Sequence, residues 1–287
     1  MEQITIFKYQ CMGNDYLVYD PNRNPVSLTA AGIARLCDRH FGIGADGVLA
    51  GPYLDREKMY VRIYNADGSE SARSGNGMAI FARYLHDQGY VQKSSFSFDT
   101  DAGEEHVFCL NEEGTRLKVS MGHPTFWSDE IPVTGERREM VNQIMVFGKI
   151  PYVTTCLSLG NPHCVIWMNE ISKEIVCRIG EHSESAEYFP EKVNTQILNV
   201  LDRTNIQIEI WERGTGYTLA GGSNACAAAC AAYRMGLADR SMYVHMPGGV
   251  LEVEIRDDGE VYMVGNVDYV GSITLGNELS EQLRALN

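Results

Sequence analysis

The chain has 287 residues, of which 44% are hydrophobic and 22% are charged, and its formal net charge is −14. This length suits one large domain or two of ordinary size, and the composition is that of a soluble globular protein. The acidic balance argues against nucleic acid or an anionic membrane as a partner, because phosphate binding needs clustered Lys and Arg. No apolar run approaches the ~20 residues of a membrane span, and Met1–Gln10 lacks the apolar core of a secretory signal, so we expect a cytoplasmic protein.

The eight cysteines are scattered along the chain and form no Cys-x-x-Cys pair. Cys226 and Cys230 lie four residues apart on a predicted helix, a spacing that could place two metal ligands. They are surrounded by alanines, however, and a free Cys in such a setting behaves as a small buried apolar residue. We therefore expect reduced thiols and no metal site.

Strand and helix patterns alternate along the chain. The predicted strands are Ile4–Tyr9, Tyr16–Tyr19, one that begins at Val48–Leu49, Met59–Tyr64, Phe96–Asp99, His106–Leu110, Arg116–Met121, Ile144–Val146, Tyr152–Leu157, Cys164–Met168 and Ile206–Trp211. The predicted helices are Thr29–Arg39 with Ser27 or Thr29 as its cap, Met78–Gln88, Ser172–Glu187 and Ala225–Met235. Residues 250–275 alternate apolar and polar side chains around Asp257-Asp258-Gly259, which predicts a hairpin. Residues 40–47 are too rich in glycine for either element, and an anion-contacting loop or a plain bend would fit.

A glycine-rich turn from Tyr64 to Gly77 joins a predicted strand to a predicted helix. The helix end that this turn enters carries about half a positive charge and several N–H groups without partners inside the helix. Such an end can hold a carboxylate or a phosphate. Ser74 lies at the mouth of this helix, where a reactive side chain would meet a bound anion.

The second half of the chain repeats this arrangement, with a strand at Ile206–Trp211, a glycine-rich turn and a helix from Ala225. Without gaps, Tyr64 aligns with Trp211, Asn65 with Glu212, Ser74 with Gly221 and Gly75 with Gly222, and the same offset brings Met12-Gly13-Asn14 onto Leu159-Gly160-Asn161. Two motifs at one offset indicate an internal duplication. We therefore expect two similar lobes with a cleft between them, each directing one helix N-terminus inward.

These turns resemble those of the diaminopimelate epimerase family, amino-acid racemases and epimerases that need no pyridoxal phosphate. The matching segments, in the order of the family, are residues 12–16, residues 38–47, residues 65–69, Gly75-Asn76-Gly77, Gly160-Asn161-Pro162-His163 and Glu212-Arg213-Gly214-x-Gly. They cover nearly the whole chain. The resemblance implies an α/β fold of two pseudo-symmetric lobes, each a curved, mostly antiparallel sheet around a central helix. The break in pattern at Gly122-His123-Pro124 sets the predicted boundary, so the lobes would be residues 1–121, to which residues 270–287 return, and residues 122–269. The resemblance also implies an enzyme without a cofactor, and a homodimer.

In that family the chemistry depends on two cysteines, one at each helix mouth, which remove and return a proton on opposite faces of the α-carbon. Here Ser74 stands in the place of the first and Gly221 in the place of the second. Tyr217 stands where a glutamate is usual, and Ser223-Asn224 replace Thr-Gly. A glycine has no proton to give, and a serine hydroxyl is far less acidic than a thiol, whose reference pKa is about 8.5. We therefore expect this chain not to use a two-thiol mechanism.

Other positions of the family's site are retained. His163 and Glu212 correspond to the residues beside the two cysteines, so the resemblance implies Ser74, His163 and Glu212 as the catalytic groups, with His163 and Ser74 as a base–hydroxyl pair. The substrate-binding residues that it implies are Asn65, Asn161, Asn194 and Arg213 for the far end of an amino acid, and Gly75, Asn76, Gly222 and Ser223 for the near carboxylate, with Asn14 close to the first mouth. Without the resemblance, the pattern favours a turn histidine at His163, hydrogen-bonded to the backbone.

Three functions fit these residues. The favoured one is an isomerase that binds an amino acid, such as one with the second charged end of diaminopimelate, and moves a proton at or next to the α-carbon. The shift could be 1,1 or 1,3. A single-base lyase would remove the α-proton and then lose a β-substituent, because no second proton donor need stand opposite. A non-catalytic amino-acid-binding protein would keep the binding residues with an inactive centre.

Overall fold

The computed structural model describes residues 3–56 and 58–286. Its elements, in chain order, are β1 (Thr5–Cys11), β2 (Asn14–Tyr19), α1 (Ala30–Cys37), β3 (Gly47–Asp55), β4 (Lys58–Asn65), β5 (Glu70–Ser71), α2 (Gly75–Asp87), β6 (Ser95–Thr100), β7 (Gly103–Cys109), β8 (Arg116–Gly122), β9 (Gln143–Phe147), β10 (Ile150–Ser158), β11 (Pro162–Trp167), α3 (Lys173–Glu184), β12 (Asn194–Asp202), β13 (Asn205–Glu212), β14 (Gly216–Thr218), α4 (Gly222–Arg234), β15 (Ser241–Met246), β16 (Gly249–Ile255), β17 (Val261–Asn266), β18 (Asp268–Thr274) and α5 (Asn277–Ala285). Of the helices in this described part, none has the length and apolar character needed to cross a membrane.

The chain divides into two compact units. The first unit comprises Met1–Val119 and Gly265–Asn287, and the second comprises Ser120–Val264. In the first, the strand order is β18-β1-β2-β3-β4-β6-β7-β8, in which the pairs β2–β3 and β4–β6 are parallel. In the second, the order is β9-β10-β11-β12-β13-β15-β16-β17, in which the pairs β11–β12 and β13–β15 are parallel. The predicted fold class, an α/β fold with two similar, mostly antiparallel halves, is confirmed; the predicted lobe limits and the cleft stay predictions.

Several corresponding elements of the two units lie at the same spacing in sequence. Strand β4 begins at Lys58 and β13 at Asn205, while α2 begins at Gly75 and α4 at Gly222, so both pairs are 147 residues apart. Strands β3 and β12 keep the same spacing, from Gly47 to Asn194. The hairpins β4–β5 and β13–β14 also occupy corresponding places. The repeat predicted from two turns therefore extends through the strand order of both units.

Each unit is built around one central helix. Helix α4 contacts β10, β11, β12, β13, β15 and β16, and its residues from Ala225 to Ala232 are all buried. Its many alanines let the strands approach closely on several sides. Cys226 and Cys230 are buried among them, and all eight cysteines are free thiols. Helix α2 contacts β1, β2, β3 and β7 in the same way. The central helices therefore fix where each glycine-rich turn ends.

Both central helices begin three residues earlier than predicted, at Gly75 and Gly222 rather than at Met78 and Ala225. The glycines that suggested a loop, Gly75, Gly77 and Gly222, are buried in the first turn of each helix. Strands β12 and β15 and helix α5 were not predicted. Strand β12 carries buried polar residues, Asn194, Thr195 and Gln196, which hide the usual apolar pattern of a strand.

Candidate active site

In the first unit, Ser74 is the N-cap of α2. Its Oγ accepts a hydrogen bond from the backbone N–H of Gly77 at 3.1 Å, which satisfies one of the donors at the start of the helix. The hydroxyl of Tyr16 on β2 lies 3.1 Å from the same oxygen. Ser74 is half-buried, and Gly75 and Asn76 follow it as the first two residues of the helix. Ser74 therefore combines a structural role with a hydroxyl partner that sequence reasoning did not find.

Asn14 and Asn76 meet beside this helix end. Asn76 Nδ2 donates to Asn14 Oδ1 at 3.3 Å, and Asn14 Nδ2 donates to Asp46 at 2.9 Å. Asn76 is buried, and its Oδ1 has no hydrogen-bond partner within residues 3–56 and 58–286. Asn65 ends β4, is exposed, and donates to Ser69 Oγ at 2.9 Å. The structure thus brings Asn14, Ser74, Gly75 and Asn76 together.

A charged cluster fixes the loop that holds Asn14. The Asp15 carboxylate accepts from Lys8 at 2.7 Å and from Arg39 at 2.8 Å, and Arg39 also contacts Asp46 at 2.8 Å. Burial of Asp15 opposes ionisation, but the hydrogen bonds from Arg39 and Lys8 outweigh it and lower the pKa of this carboxyl. Asp46 and the carbonyl of Gly44 tie the glycine-rich residues 40–47 to this cluster, and an anion contact by this segment stays a prediction.

In the second unit, the corresponding helix mouth is organised differently. Gly221 is the N-cap of α4 and offers no side-chain cap. The space beside its Cα is occupied by the side chains of Asn224 and Glu212. A Cβ on Gly221 would lie 2.7 Å from Glu212 Oε1 and closer still to Asn224 Nδ2, and real Cβ atoms do not approach either atom so closely. The space beside Gly221 is therefore filled by an amide and a carboxylate.

Four hydrogen bonds connect Glu212 to Asn161 through the core of this unit. Asn224 Nδ2 donates to Glu212 Oε1 at 2.7 Å, and Gln196 Nε2 donates to Asn224 Oδ1 at 2.6 Å. Gln196 Nε2 also lies 3.2 Å from His163 Nδ1, and His163 Nε2 lies 2.9 Å from Asn161 Oδ1. His163, Gln196 and Asn224 are all buried. We call these five side chains the polar chain.

His163 is neutral within the polar chain. Its side chain is fully buried, and burial, together with the charge of Arg213, lowers the pKa of the imidazole from 6.5 to about 3. Gln196 presents an N–H to Nδ1, so Nδ1 accepts and the ring proton lies on Nε2, which donates to Asn161. The imidazole of His163 bonds the side chains of Asn161 and Gln196, whereas the sequence pattern alone favoured a bond to the backbone.

The remaining predicted binding residues lie at the strand ends next to Glu212. Asn194 begins β12, donates to the carbonyl of Pro162 at 3.0 Å and accepts from the backbone N–H of Arg213 at 3.1 Å. The guanidinium of Arg213 donates to the carbonyl of Glu191 at 3.0 Å. Glu184 accepts from Trp211 Nε1 at 2.8 Å and from the N–H of Gly214 at 2.9 Å, so the turn after Glu212 is held at two points. Gly222 and Ser223 open α4.

The structure therefore gathers the predicted residues into two sets, one in each unit. The first set is Asn14, Ser74, Gly75 and Asn76, and the second is Asn161, His163, Asn194, Glu212, Arg213, Gly222 and Ser223, while Asn65 sits at the exposed end of β4. The pairing of His163 with Ser74 and the assignment of these residues to substrate stay predictions.

Sequence reasoning missed Tyr16, Gln196 and the role of Asn224. The repeat could have found Tyr16, because it stands 147 residues before His163. Gln196 gave no signal, since its partners His163 and Asn224 lie 33 and 28 residues away in sequence. In chemical terms, the second unit offers a carboxylate at a positive helix end, whereas the first offers hydroxyl and amide groups. No group of three His, Cys, Asp or Glu side chains able to hold a metal ion occurs in the described ranges.

Comparison with known proteins identifies relatives along almost the whole chain. The sequence model of the diaminopimelate epimerase family matches residues 6–127 and 155–270. Diaminopimelate epimerase 2 of Nostoc sp. is 42% identical over 95% of this chain and 96% of its own length. The diaminopimelate epimerase of Caldanaerobacter subterraneus is 36% identical over 92% of this chain and 96% of its own. A crystal structure of a probable proline racemase from Agrobacterium radiobacter has the same fold, with a TM-score of 0.70, 13% identity and coverage of 96% of this chain and 93% of that one.

The first prediction concerns the space beside Gly221. Its φ of −162° and ψ of 125° suit any residue, so the cost of Gly221→Ala is steric. The new Cβ would displace the Asn224 amide and break bonds of the polar chain, which should lower the free energy of unfolding by about 1–3 kcal/mol. In an Asn224→Gly background the same substitution should cost much less. Chemical denaturation of the four proteins measures this coupling, with Gly271→Ala, where nothing lies within 4 Å, as the control. An equal cost in both backgrounds would contradict it.

The second prediction concerns the stability of the fold at low pH. Unfolded His163 takes up a proton below its ordinary pKa of 6.5, whereas the folded protein does not until about pH 3. The folded state therefore loses stability as the pH falls from 6.5 toward 3, by up to about 1.4 kcal/mol per pH unit from this group. His163→Gln should remove that contribution. Unfolding free energies at pH 8 and at about pH 5 should show wild type losing more than the variant, and parallel losses would disprove the buried neutral imidazole.

Proposed function

Because the chain belongs to the diaminopimelate epimerase family and is an isomerase of the epimerase and racemase type, we propose that it binds an amino acid and moves a proton at or next to its α-carbon without a cofactor and without a pair of thiols. The relatives' names make an amino acid with a second charged end, such as diaminopimelate, the first substrate to test. The homodimer and the cytoplasmic location stay predictions.

The observation that carries this proposal is the filled space beside Gly221. A thiol cannot act there, because the position has no side chain and its place is taken by Asn224 and Glu212. Glu212 is half-buried and lies beside the N-terminus of α4, and a carboxylate is one of the side chains that act as general bases in proton transfer. We assign the role of base to Glu212. His163 acts as a neutral partner in the polar chain.

Ser74 is the second proton-moving group in the proposed reaction. Its Oγ is already an acceptor for Gly77, and the hydroxyl of Tyr16 can donate to it. A phenol has a reference pKa near 10, closer to that of a thiol than a serine hydroxyl is. A proton returned to the substrate by Ser74 could therefore be replaced from Tyr16. Asn14 and Asn76 stand beside this pair and would hold a substrate carboxylate at the N-terminus of α2.

One observation favours a second candidate, a single-base lyase. The assigned base, Glu212, lies in the second unit, whereas the hydroxyls of Ser74 and Tyr16 meet at the helix end of the first. With only one efficient proton-moving group, loss of a β-substituent after deprotonation needs no donor on the other face. The products separate the two activities, since a lyase gives an unsaturated acid or a keto acid.

The third prediction tests the isomerase. Incubation of the protein with LL- and meso-diaminopimelate, and with a panel of other amino acids, in heavy water should give deuterium at the α-carbon, as followed by NMR. Glu212→Gln should slow this exchange by about 10²-fold or more while ligand-induced thermal stabilisation remains. Glu209→Gln, a half-buried carboxylate on the same strand that accepts from Tyr217, is the matched control. Full α-proton exchange in Glu212→Gln would refute the assignment of Glu212 as the base. Ligand binding by wild type without any α-proton exchange would favour a non-catalytic protein.

The fourth prediction separates the two roles of Ser74. Ser74→Ala and Ser172→Ala each remove a cap, of α2 and of α3, and should each lower the free energy of unfolding by about 1 kcal/mol. Only Ser74→Ala should also slow α-proton exchange, and Tyr16→Phe should slow it without loss of the cap. The comparison uses exchange rates and denaturation midpoints of the same preparations. If Ser74→Ala and Ser172→Ala had the same exchange rate, Ser74 would be a cap and nothing more.

A further inference from the structure

The hydrogen bonds of the polar chain run in one donor-to-acceptor direction, and Glu212 sets that direction. An ionised carboxylate can only accept hydrogen bonds, so Asn224 must turn its Nδ2 toward Glu212 and its Oδ1 away. Gln196 must then present its Nε2 to Asn224 Oδ1. The second N–H of the same amide faces His163 Nδ1, which must be the unprotonated nitrogen. Reversal of the amides would bring the Asn224 carbonyl against the Glu212 carboxylate.

A buried, unpaired carbonyl oxygen in the polar chain supports this donor-to-acceptor direction. Gln196 is fully buried, and its Oε1 has no hydrogen-bond partner among the residues that the structure describes. Leaving a buried carbonyl unpaired is expensive. A rotated amide would pair this oxygen only by losing the bonds to Asn224 and His163. The unpaired Oε1 is therefore what the direction imposed by Glu212 predicts.

The first unit shows that the fold itself does not require the polar chain. At the spacing of 147 residues, His163 corresponds to Tyr16, Gln196 to Leu49, Glu212 to Asn65 and Asn224 to Gly77. Leu49 is buried on β3 where Gln196 is buried on β12. The same backbone thus accepts an apolar residue at this position.

We propose that the carboxylate of Glu212 fixes the tautomer of His163, across Asn224 and Gln196, which act as positioning residues. The chain holds the ring proton on Nε2, directed at Asn161. It also holds the Glu212 carboxylate beside the N-terminus of α4. The effect on turnover rests on the proposed function, whereas the effect on the tautomer does not.

The test measures the tautomer directly. Protein labelled with ¹⁵N in its seven histidines is examined by NMR, and the signals of His163 are assigned by difference from His163→Gln. Wild type should show a proton on Nε2 alone. Gln196→Leu, which copies the residue of the first unit, should give a mixture of tautomers, as should Glu212→Gln, because an amide there can donate or accept. Gln196→Glu should move the ring proton to Nδ1, since position 196 then accepts.

The matched control is Thr195→Val. Thr195 is the neighbouring residue on the same strand, is fully buried, and bonds Ser183 Oγ at 2.7 Å away from the polar chain. It should destabilise the protein about as much as Gln196→Leu and leave the His163 tautomer unchanged. With a substrate that wild type turns over, Gln196→Leu should lower kcat about tenfold with little change in KM, and Thr195→Val should not.

The outcomes are separable. A proton on Nδ1 in wild type would overturn the proposal, and so would wild-type tautomers in folded Gln196→Leu and Gln196→Glu, with folding checked by thermal unfolding. These results would leave the proposed isomerase untouched. Conversely, a protein that exchanges no α-proton but shows the predicted tautomers would refute the proposed function and support the positioning role.

Discussion

One steric exclusion governs the second unit: the Asn224 amide lies where a side chain on Gly221 would be. A side chain three residues along a helix points back over the preceding turn, which is how residue 224 reaches the N-cap position. Because residue 221 has no side chain, Asn224 can contact Glu212 on one side and Gln196 on the other. The placement of Asn224 between Glu212 and Gln196, and with it the orientation of both amides, depends on that free volume.

The two units share a backbone and differ in chemistry at corresponding places. Apolar alternation and small helix residues set the strand order and the central helix of each, and these features tolerate many side chains. In the first unit, the hydroxyls of Tyr16 and Ser74 meet directly at the helix end. In the second, two amides separate His163 from Glu212. The two units therefore share the backbone geometry at the N-terminus of the central helix and differ in the polar side chains around it.

The sequence predicted the parts of the fold that arise from local patterns. The spacing between the two glycine-rich turns was enough to predict the duplication, and most strands and helices followed from periodicity. Strand β12 was missed because Asn194 and Gln196 are polar where a strand usually has apolar residues. The role of Gln196 appears only when the fold brings it to Asn224 and His163, which lie 28 and 33 residues away in sequence. The filling of the space beside Gly221 is local, and helix geometry at residues 221 and 224 could have predicted it.

The helix end that carries Glu212 also constrains how the proposed substrate would bind. Helix α4 has no side-chain cap, and its positive end already faces the Glu212 carboxylate. A substrate carboxylate at Gly222 and Ser223 would bring a second negative charge to the same end, and like charges that close disfavour joint ionisation. In the proposed reaction Glu212 takes the α-proton of the substrate, which removes one of these two negative charges. A protonated Glu212 no longer excludes the Asn224 carbonyl, so the polar chain is free to reverse in that state. Substrate charge, proton position and the His163 tautomer are thus linked through Asn224 and Gln196.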